Sequence, residues 1–259
     1  MQASAVIADV RSLLKGEPVF LAGSLMAEQA YGKSNSHSDV DLFCPTSQVL
    51  IATGQRLLDN GYKFDDRFDR VWVRWLKYGF KTWHTNSLRL HSPSGIETNL
   101  VYKLADGHPT TSLAQVLESF DFGLLGMGWD LESDTYRDMR GYLFPGFDPD
   151  GPLPMMPNKR EAWRNGFISQ YNGLRESGRY VKYHEYGYDL SLVKDDLVTG
   201  YDMASMYFTT HFDKDKQMLG NIYNAIARYI EDDDVAQLSE AYKLVDYNDS
   251  LDSIMEALE

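Results

Sequence analysis

The segment from Asp39 to Phe43 constrains the fold most strongly, because acidic and apolar residues alternate along it. In a β-strand, residues two apart point to the same face. Val40 and Leu42 are therefore expected to face a core, while Asp39 and Asp41 project together from the opposite face. Two neighbouring carboxylates repel each other unless a cation or solvent compensates them, and Mg²⁺ prefers oxygen ligands. The pattern predicts either a metal-binding strand or an exposed edge strand that carries acids as solubilising groups.

A second feature precedes the acidic strand. The short apolar run from Val19 to Ala22 indicates a buried strand, which turns through Gly23 and Ser24 into a helix beginning at Leu25. The start of a helix offers backbone amides and a favourable dipole to phosphate oxygens. Gly23 would let a phosphate group approach the backbone closely, and Ser24 adds a hydroxyl donor. The alternative is ordinary capping of the helix by the Ser24 side chain.

The two features occur in one order, namely strand, Gly-Ser, helix, loop and Asp-x-Asp strand, within residues 21–43. This order resembles the signature of the DNA polymerase beta-like nucleotidyltransferase superfamily. The resemblance implies that Gly23 and Ser24 contact the triphosphate of a nucleotide and that Asp39 and Asp41 bind Mg²⁺ or Mn²⁺. It also implies a two-metal reaction, in which a nucleoside monophosphate moves from an NTP to a hydroxyl acceptor and pyrophosphate is released.

Members of this superfamily often supply a third acid from a later strand. In residues 95–102 the candidates are Glu97 and Asn99, which share one strand face. The register of the superfamily, an acid followed by two apolar residues, implies that the acid would stand at Asn99. An asparagine can hold a metal weakly but cannot accept a proton. We expect Glu97 to be the third catalytic acid and metal ligand; the alternatives are that the enzyme works with two acids or that catalysis is lost.

A less formal resemblance extends further along the chain. The segments Leu117–Phe122 and Arg179–Tyr183 are similar to segments of uncharacterised nucleotidyltransferase-like proteins of phages and large viruses. This resemblance implies that Asp121 and Lys182 lie near the active-site cleft, where the nucleotide would bind, and that Lys182 contacts the phosphates of the bound nucleotide. The alternative is that the two phenylalanines beside Asp121 belong to the core and that Lys182 is solvated.

The order of the elements predicts an α/β (α+β) fold, with a mixed sheet of the nucleotidyltransferase type flanked by helices and followed by a mainly helical C-terminal region. We expect a catalytic domain over residues 1–140. Five prolines and several glycines between residues 141 and 158 predict a linker. Apolar residues at helical spacing predict that residues 159–259 form the helical region, which would wall the cleft.

The net charge of −13 disfavours broad, sequence-independent binding of DNA or RNA, because an acidic surface repels phosphate backbones. An NTP substrate remains compatible with this charge. The acceptor stays open among a small molecule, a protein side chain and an RNA end such as that of tRNA. The basic stretch from Arg175 to Lys182 would suit the RNA end. The alternative function is a catalytically silent nucleotide-binding or interaction protein of viral origin that retains the fold, and Asn99 favours it.

The cellular location follows from what the sequence does not contain. The single cysteine, Cys44, cannot form an intramolecular disulfide, which fits a reducing compartment. No apolar leader and no apolar segment of membrane-spanning length are visible. We therefore expect no membrane partner and a cytoplasmic location, in the host cytoplasm if the protein is viral.

Overall fold

The computed structural model describes residues 3–33, 39–64, 86–105, 108–164, 179–180 and 182–199. The chain divides into two compact units, Met1–Phe147 and Asp148–Glu259. The division falls within the segment 141–158 that the sequence predicts as a linker, and the predicted domain boundaries stay predictions. Residues 165–178, 181 and 200–259, which hold most of the predicted helical region, lie outside the described residues.

The described residues of the first unit form a mixed sheet. The strands are β1 (Phe20–Ala22), β2 (Val40–Phe43), β3 (Lys63–Phe64), β4 (Asn86–His91), β5 (Glu97–Tyr102), β6 (Leu104–Ala105), β7 (His108–Pro109), β8 (Met127–Asp130) and β9 (Thr135–Asp138). Seven of these strands pair in the order β3-β4-β5-β2-β1-β8-β9, and β6 pairs with β7. Within the larger sheet β2 and β5 are parallel, while the other neighbouring strands are antiparallel.

Helices flank this sheet, as the sequence predicts. The described helices of the first unit are α1 (Ala3–Leu14), α2 (Ser24–Tyr31), α3 (Ser47–Asp59), α4 (Leu113–Glu118) and α5 (Arg140–Leu143), with a 3₁₀ turn at Gly123–Leu125. The second unit contains α6 (Pro157–Arg164), and its residues 191–199 are also helical. Side chains cap the N-termini of α3 and α4: Thr46 Oγ1 accepts a hydrogen bond from the Val49 amide, and Ser112 Oγ accepts one from the Gln115 amide. Within the described ranges, no helix is both long and apolar enough to cross a membrane. The predicted α/β fold class is confirmed.

The core lies where the central strands meet helices α1 to α3. Val40 and Leu42 on β2 are buried, together with Leu21 on β1 and Leu100 on β5, and none of the four is more than 1% exposed. Burying such side chains contributes about 1.5–3 kcal/mol each relative to leaving them in water. The predicted alternation along β2 is therefore confirmed: its apolar residues enter the core, and its acidic face is left for another role.

Two alternatives that the sequence left open are wrong. β2 lies between β1 and β5, so it is not an edge strand and its acids do not serve to solubilise a sheet edge. Ser24 is not the cap of α2, because Gly23 occupies the N-cap position and no side chain caps this helix. Ser24 is instead the first helical residue, and its hydroxyl is directed to the acidic strand.

Candidate functional site

The turn from β1 into α2 depends on Gly23. Its backbone has φ 97° and ψ −159°, a region that is essentially restricted to glycine. A Cβ atom at this position would lie 2.5 Å from Oδ2 of Asp41, which is well inside van der Waals contact. The absence of a side chain therefore brings the carboxylate of β2 directly against the N-terminus of α2. The first amides of a helix have no intrahelical partners and can bind an anion.

The two aspartates reach this helix end from the same strand. Asp41 pairs with Ala22 on β1 and with Asn99 on β5, so it lies in the middle of the sheet. Asp39 immediately precedes β2, and its Oδ1 atom lies 3.5 Å from Oγ of Ser24. The structure thus brings together four of the residues that the sequence singled out, namely Gly23, Ser24, Asp39 and Asp41.

Asn99 completes the group from the parallel strand β5. Its Nδ2 amino group donates one hydrogen bond to Oδ2 of Asp39, at 2.5 Å, and a second to Oδ1 of Asp41, at 3.1 Å. Only 9% of Asn99 is exposed. One amide group therefore holds the two carboxylates side by side, at the position where the superfamily resemblance implies a third acid.

Glu97 lies two residues before Asn99 on the same strand, and its carboxylate makes an ion pair. Oε1 of Glu97 lies 3.1 Å from Nε of Arg89 on β4, and both side chains are about one third exposed. The same Arg89 nitrogen donates to Oδ1 of Asn99 at 3.2 Å. The role of Glu97 as third acid and metal ligand stays a prediction. In the structure its carboxylate is paired with the guanidinium group of Arg89.

The donor set suits one hard divalent cation. The carboxylates of Asp39 and Asp41 offer oxygen ligands beside the Ser24 hydroxyl, and Mg²⁺ and Mn²⁺ both accept such ligands. Among the described residues, no group of three or more His, Cys, Asp or Glu side chains comes close enough to hold a metal. The site is therefore built around two acids, and the third neighbouring side chain is an amide.

The viral resemblance singles out Asp121 and Lys182. Phe122 is fully buried, and Phe120 and Asp121 are nearly so, which fits the interpretation of this segment as core. Lys182 belongs to the second unit, where its Nζ lies 5.7 Å from the ring centroid of Tyr183. Its contact with nucleotide phosphates stays a prediction, and so does the place of Asp121 and Lys182 near the active-site cleft.

Sequence reasoning missed two residues of interest. Arg89 could have been noticed only as a charged residue inside a strand, because its neighbours depend on the register of β4 against β5. Glu28 lies one helical turn after Ser24 and is 7% exposed, and no described group makes a hydrogen bond with its Oε2 atom. Side chains on a helix lean toward its N-terminus, so this buried acid covers the turn that contains Ser24.

Comparison with known proteins gives weak likenesses. The sequence matches no protein-family model, and it matches no curated protein sequence. A CCA-adding enzyme solved with CTP is 12% identical to this chain, in a match that covers 78% of this chain with a TM-score of 0.40. The Thermotoga maritima CCA-adding enzyme complexed with tRNA is 11% identical to this chain, in a match that covers 97% of this chain with a TM-score of 0.38. The matches span 44% and 66% of those two chains, and scores this low carry no argument about function.

Proposed function

We propose that this chain is a divalent-metal-dependent nucleotidyltransferase, which moves a nucleoside monophosphate from an NTP to a hydroxyl acceptor and releases pyrophosphate. One observation carries the proposal: two carboxylates, on β2 and immediately before it, lie beside the N-terminus of a helix whose N-cap residue is a glycine. Oδ2 of Asp41 lies 2.5 Å from the position that a Cβ on Gly23 would occupy, and Oδ1 of Asp39 lies 3.5 Å from the Ser24 hydroxyl. A metal-bound triphosphate needs cation ligands and anion-binding amides side by side, and this arrangement provides both.

Each residue then has a stated role. Asp39 and Asp41 would hold Mg²⁺ or Mn²⁺, and the metal, when bound, would neutralise the charge on the triphosphate and favour attack by the acceptor hydroxyl. The amides at Gly23 and Ser24 orient the phosphates, with the Ser24 hydroxyl as an additional donor. Glu97 is the candidate for the remaining acid. Lys182 is the candidate for a further phosphate contact.

The acceptor is proposed at the level of chemical class. It carries a hydroxyl group, on an RNA end such as that of tRNA, on a small molecule or on a protein side chain. A net charge of −13 opposes long-range attraction of nucleic acid, so an RNA acceptor would need local basic residues. The proposal also includes a cytoplasmic location and a viral origin.

The test is a labelling experiment with the purified full chain. NTPs labelled in the α-phosphate are incubated with Mg²⁺ or Mn²⁺ and with three separate acceptor pools, namely RNA, protein and small molecules. We expect label in one pool. Asp39→Asn and Asp41→Asn should each reduce labelling by more than about a hundredfold, because a catalytic metal contributes several kcal/mol to stabilising the transition state.

The matched control is Asp9→Asn, which removes an exposed acid from α1 and should label like the wild type. Circular dichroism verifies that all three variants fold. The proposal is wrong if no pool is labelled with any NTP and if neither NTP nor metal binds in calorimetry.

A second function, a catalytically silent nucleotide-binding protein, is favoured by Asn99, since an amide in place of the third acid cannot accept a proton. In that case a non-hydrolysable NTP analogue would bind in calorimetry, with loss of binding in Asp41→Asn, while no acceptor pool would become labelled.

A further inference from the structure

The orientation of the Asn99 side chain is fixed from both sides. An arginine can only donate hydrogen bonds and a carboxylate can only accept them. The oxygen of Asn99 must therefore face Arg89, and its amino group must face Asp39 and Asp41. The usual ambiguity between the oxygen and nitrogen of an amide does not arise here.

This orientation determines what Asn99 can offer to a cation. With its amino group between the two aspartates, the residue presents N–H donors where a carboxylate would present ligand oxygens. To coordinate a cation there, the amide would have to rotate and give up its hydrogen bond to Arg89. Arg89 also contacts Glu97 at 3.1 Å, so the remaining acid on this strand face is already paired with a positive charge.

The register of the sheet maintains this arrangement. Arg89 on β4 lies directly opposite Asn99 on β5, and Asn99 lies beside Asp41 on β2. The three side chains therefore come from adjacent strands at neighbouring positions on one face. A second divalent ion at this face would meet the guanidinium of Arg89 and would find no unpaired carboxylate on β5 to bind it.

We propose that Arg89 is a positioning residue that acts through Asn99 and limits the site to a single divalent cation, bound by Asp39 and Asp41. The inference rests on the proposed function and refines it, because it replaces a two-metal site by a one-metal site. It also assigns Glu97 to the ion pair with Arg89 rather than to a second metal.

The test counts bound Mn²⁺ by electron paramagnetic resonance, with the full chain and Mn²⁺ alone as the probe. We expect one Mn²⁺ per wild-type chain. Arg89→Gln removes the charge and frees Asn99 to turn its oxygen to the cation, so Mn²⁺ should bind about tenfold more tightly, as expected for removing a unit charge several ångströms from a divalent ion. Asn99→Asp combined with Arg89→Gln should bind a second Mn²⁺.

The direction of the change separates this role from a merely structural one. Loss of a structural arginine would weaken Mn²⁺ binding and lower the melting temperature, whereas the proposal expects tighter binding. Arg137→Gln is the control, because it makes the same charge change at an exposed position on the edge strand β9 and should leave Mn²⁺ binding unchanged.

Two outcomes would overturn the inference alone: two Mn²⁺ ions bound to the wild type, or an Arg89→Gln variant that binds Mn²⁺ no more tightly than the wild type does. A wild type that binds no Mn²⁺ and labels no acceptor would overturn the proposed function as well. The two failures are therefore distinguishable.

Discussion

Oδ2 of Asp41 lies 2.5 Å from the position that a Cβ atom on Gly23 would occupy, which is too close for a side chain to fit there. The two residues belong to neighbouring antiparallel segments, since Asp41 pairs with Ala22 in the register of β1 and β2. The Asp41 carboxylate therefore occupies space that a side chain at position 23 would need. The glycine serves two purposes here, because it permits the backbone conformation and leaves room for the acid.

This relationship predicts the effect of Gly23→Ala. The new methyl group must displace Asp41, and the backbone conformation is strained by about 1–3 kcal/mol for any residue other than glycine. We expect lower stability in urea denaturation together with loss of Mn²⁺ binding and of NTP labelling. Gly32→Ala is the matched control, because Gly32 also has positive φ, at 63°, but a Cβ there meets nothing within 4 Å. Gly32→Ala should lose stability and keep Mn²⁺ binding; equal Mn²⁺ affinity in the two variants would contradict this account.

The buried carboxylate of Glu28 is predicted to lower the free energy of unfolding. Glu28 is buried, and no described residue makes a hydrogen bond with its Oε2 atom. Such a carboxylate is less favourable in the folded state than a neutral amide of the same shape. We expect Glu28→Gln to raise the free energy of unfolding by about 1–3 kcal/mol, measured as a higher urea midpoint at an unchanged slope. Glu132→Gln, at an exposed position, should change it by less than about 0.5 kcal/mol. A destabilised Glu28→Gln variant would show that the charge itself is needed.

Asp138 is predicted to make the fold sensitive to acid. Burial raises the pKa of Asp138. Hydrogen bonds from the side chain and the backbone of Arg140 together lower this pKa by more than burial raises it, so it lies below the ordinary value of 3.8. A carboxyl group whose pKa is lowered in the folded state stabilises the fold above the unfolded pKa, and this contribution is lost as the pH falls through the folded pKa. Asp138→Asn should therefore be less stable than wild type at pH 7, and the difference in thermal midpoint should shrink below pH 3.8. A difference that does not depend on pH would contradict the assignment, and Asp9→Asn serves as the control.

Cys44 is predicted to be unreactive in the folded protein. Burial raises the pKa of its thiol to about 12 and outweighs a smaller lowering of this pKa by the neighbouring Thr53 side chain, and only 1% of the residue is exposed. The thiolate is the reactive species, so a disulfide reagent at pH 8 should not modify the native chain and should modify it completely in urea. Rapid labelling of the native protein would indicate that the core around α3 opens readily.

Local patterns predict the part of the site that lies close together in sequence. The alternation from Asp39 to Leu42 places both acids on one face and both apolar residues in the core, because a strand has a period of two. The glycine between a short apolar run and a helix marks the turn at Gly23. These features need only the geometry of single elements, so they can be predicted from one sequence.

The contacts of Arg89 could not be predicted in the same way. The sequence indicates a turn between β4 and β5, but a shift of one residue in their pairing would move Arg89 to the opposite face. The actual register depends on the loop from Ser92 to Ile96, where Gly95 has φ 82° and its amide bonds to the Ser92 carbonyl. The burial of Glu28 could not be predicted for a related reason, because α2 packs against the distant 3₁₀ turn Gly123–Leu125.

The parallel pairing of β2 with β5 joins segments almost sixty residues apart, and the third strand of the site, β1, approaches from the other side. These strands lie in the middle of the sheet, so opening of an edge strand leaves Asp41 and Asn99 in place. Occupancy is therefore linked to unfolding of the whole unit: a ligand at a hundred times its dissociation constant adds about 2.7 kcal/mol. Amide hydrogen exchange should then slow across all three strands together, rather than in one loop.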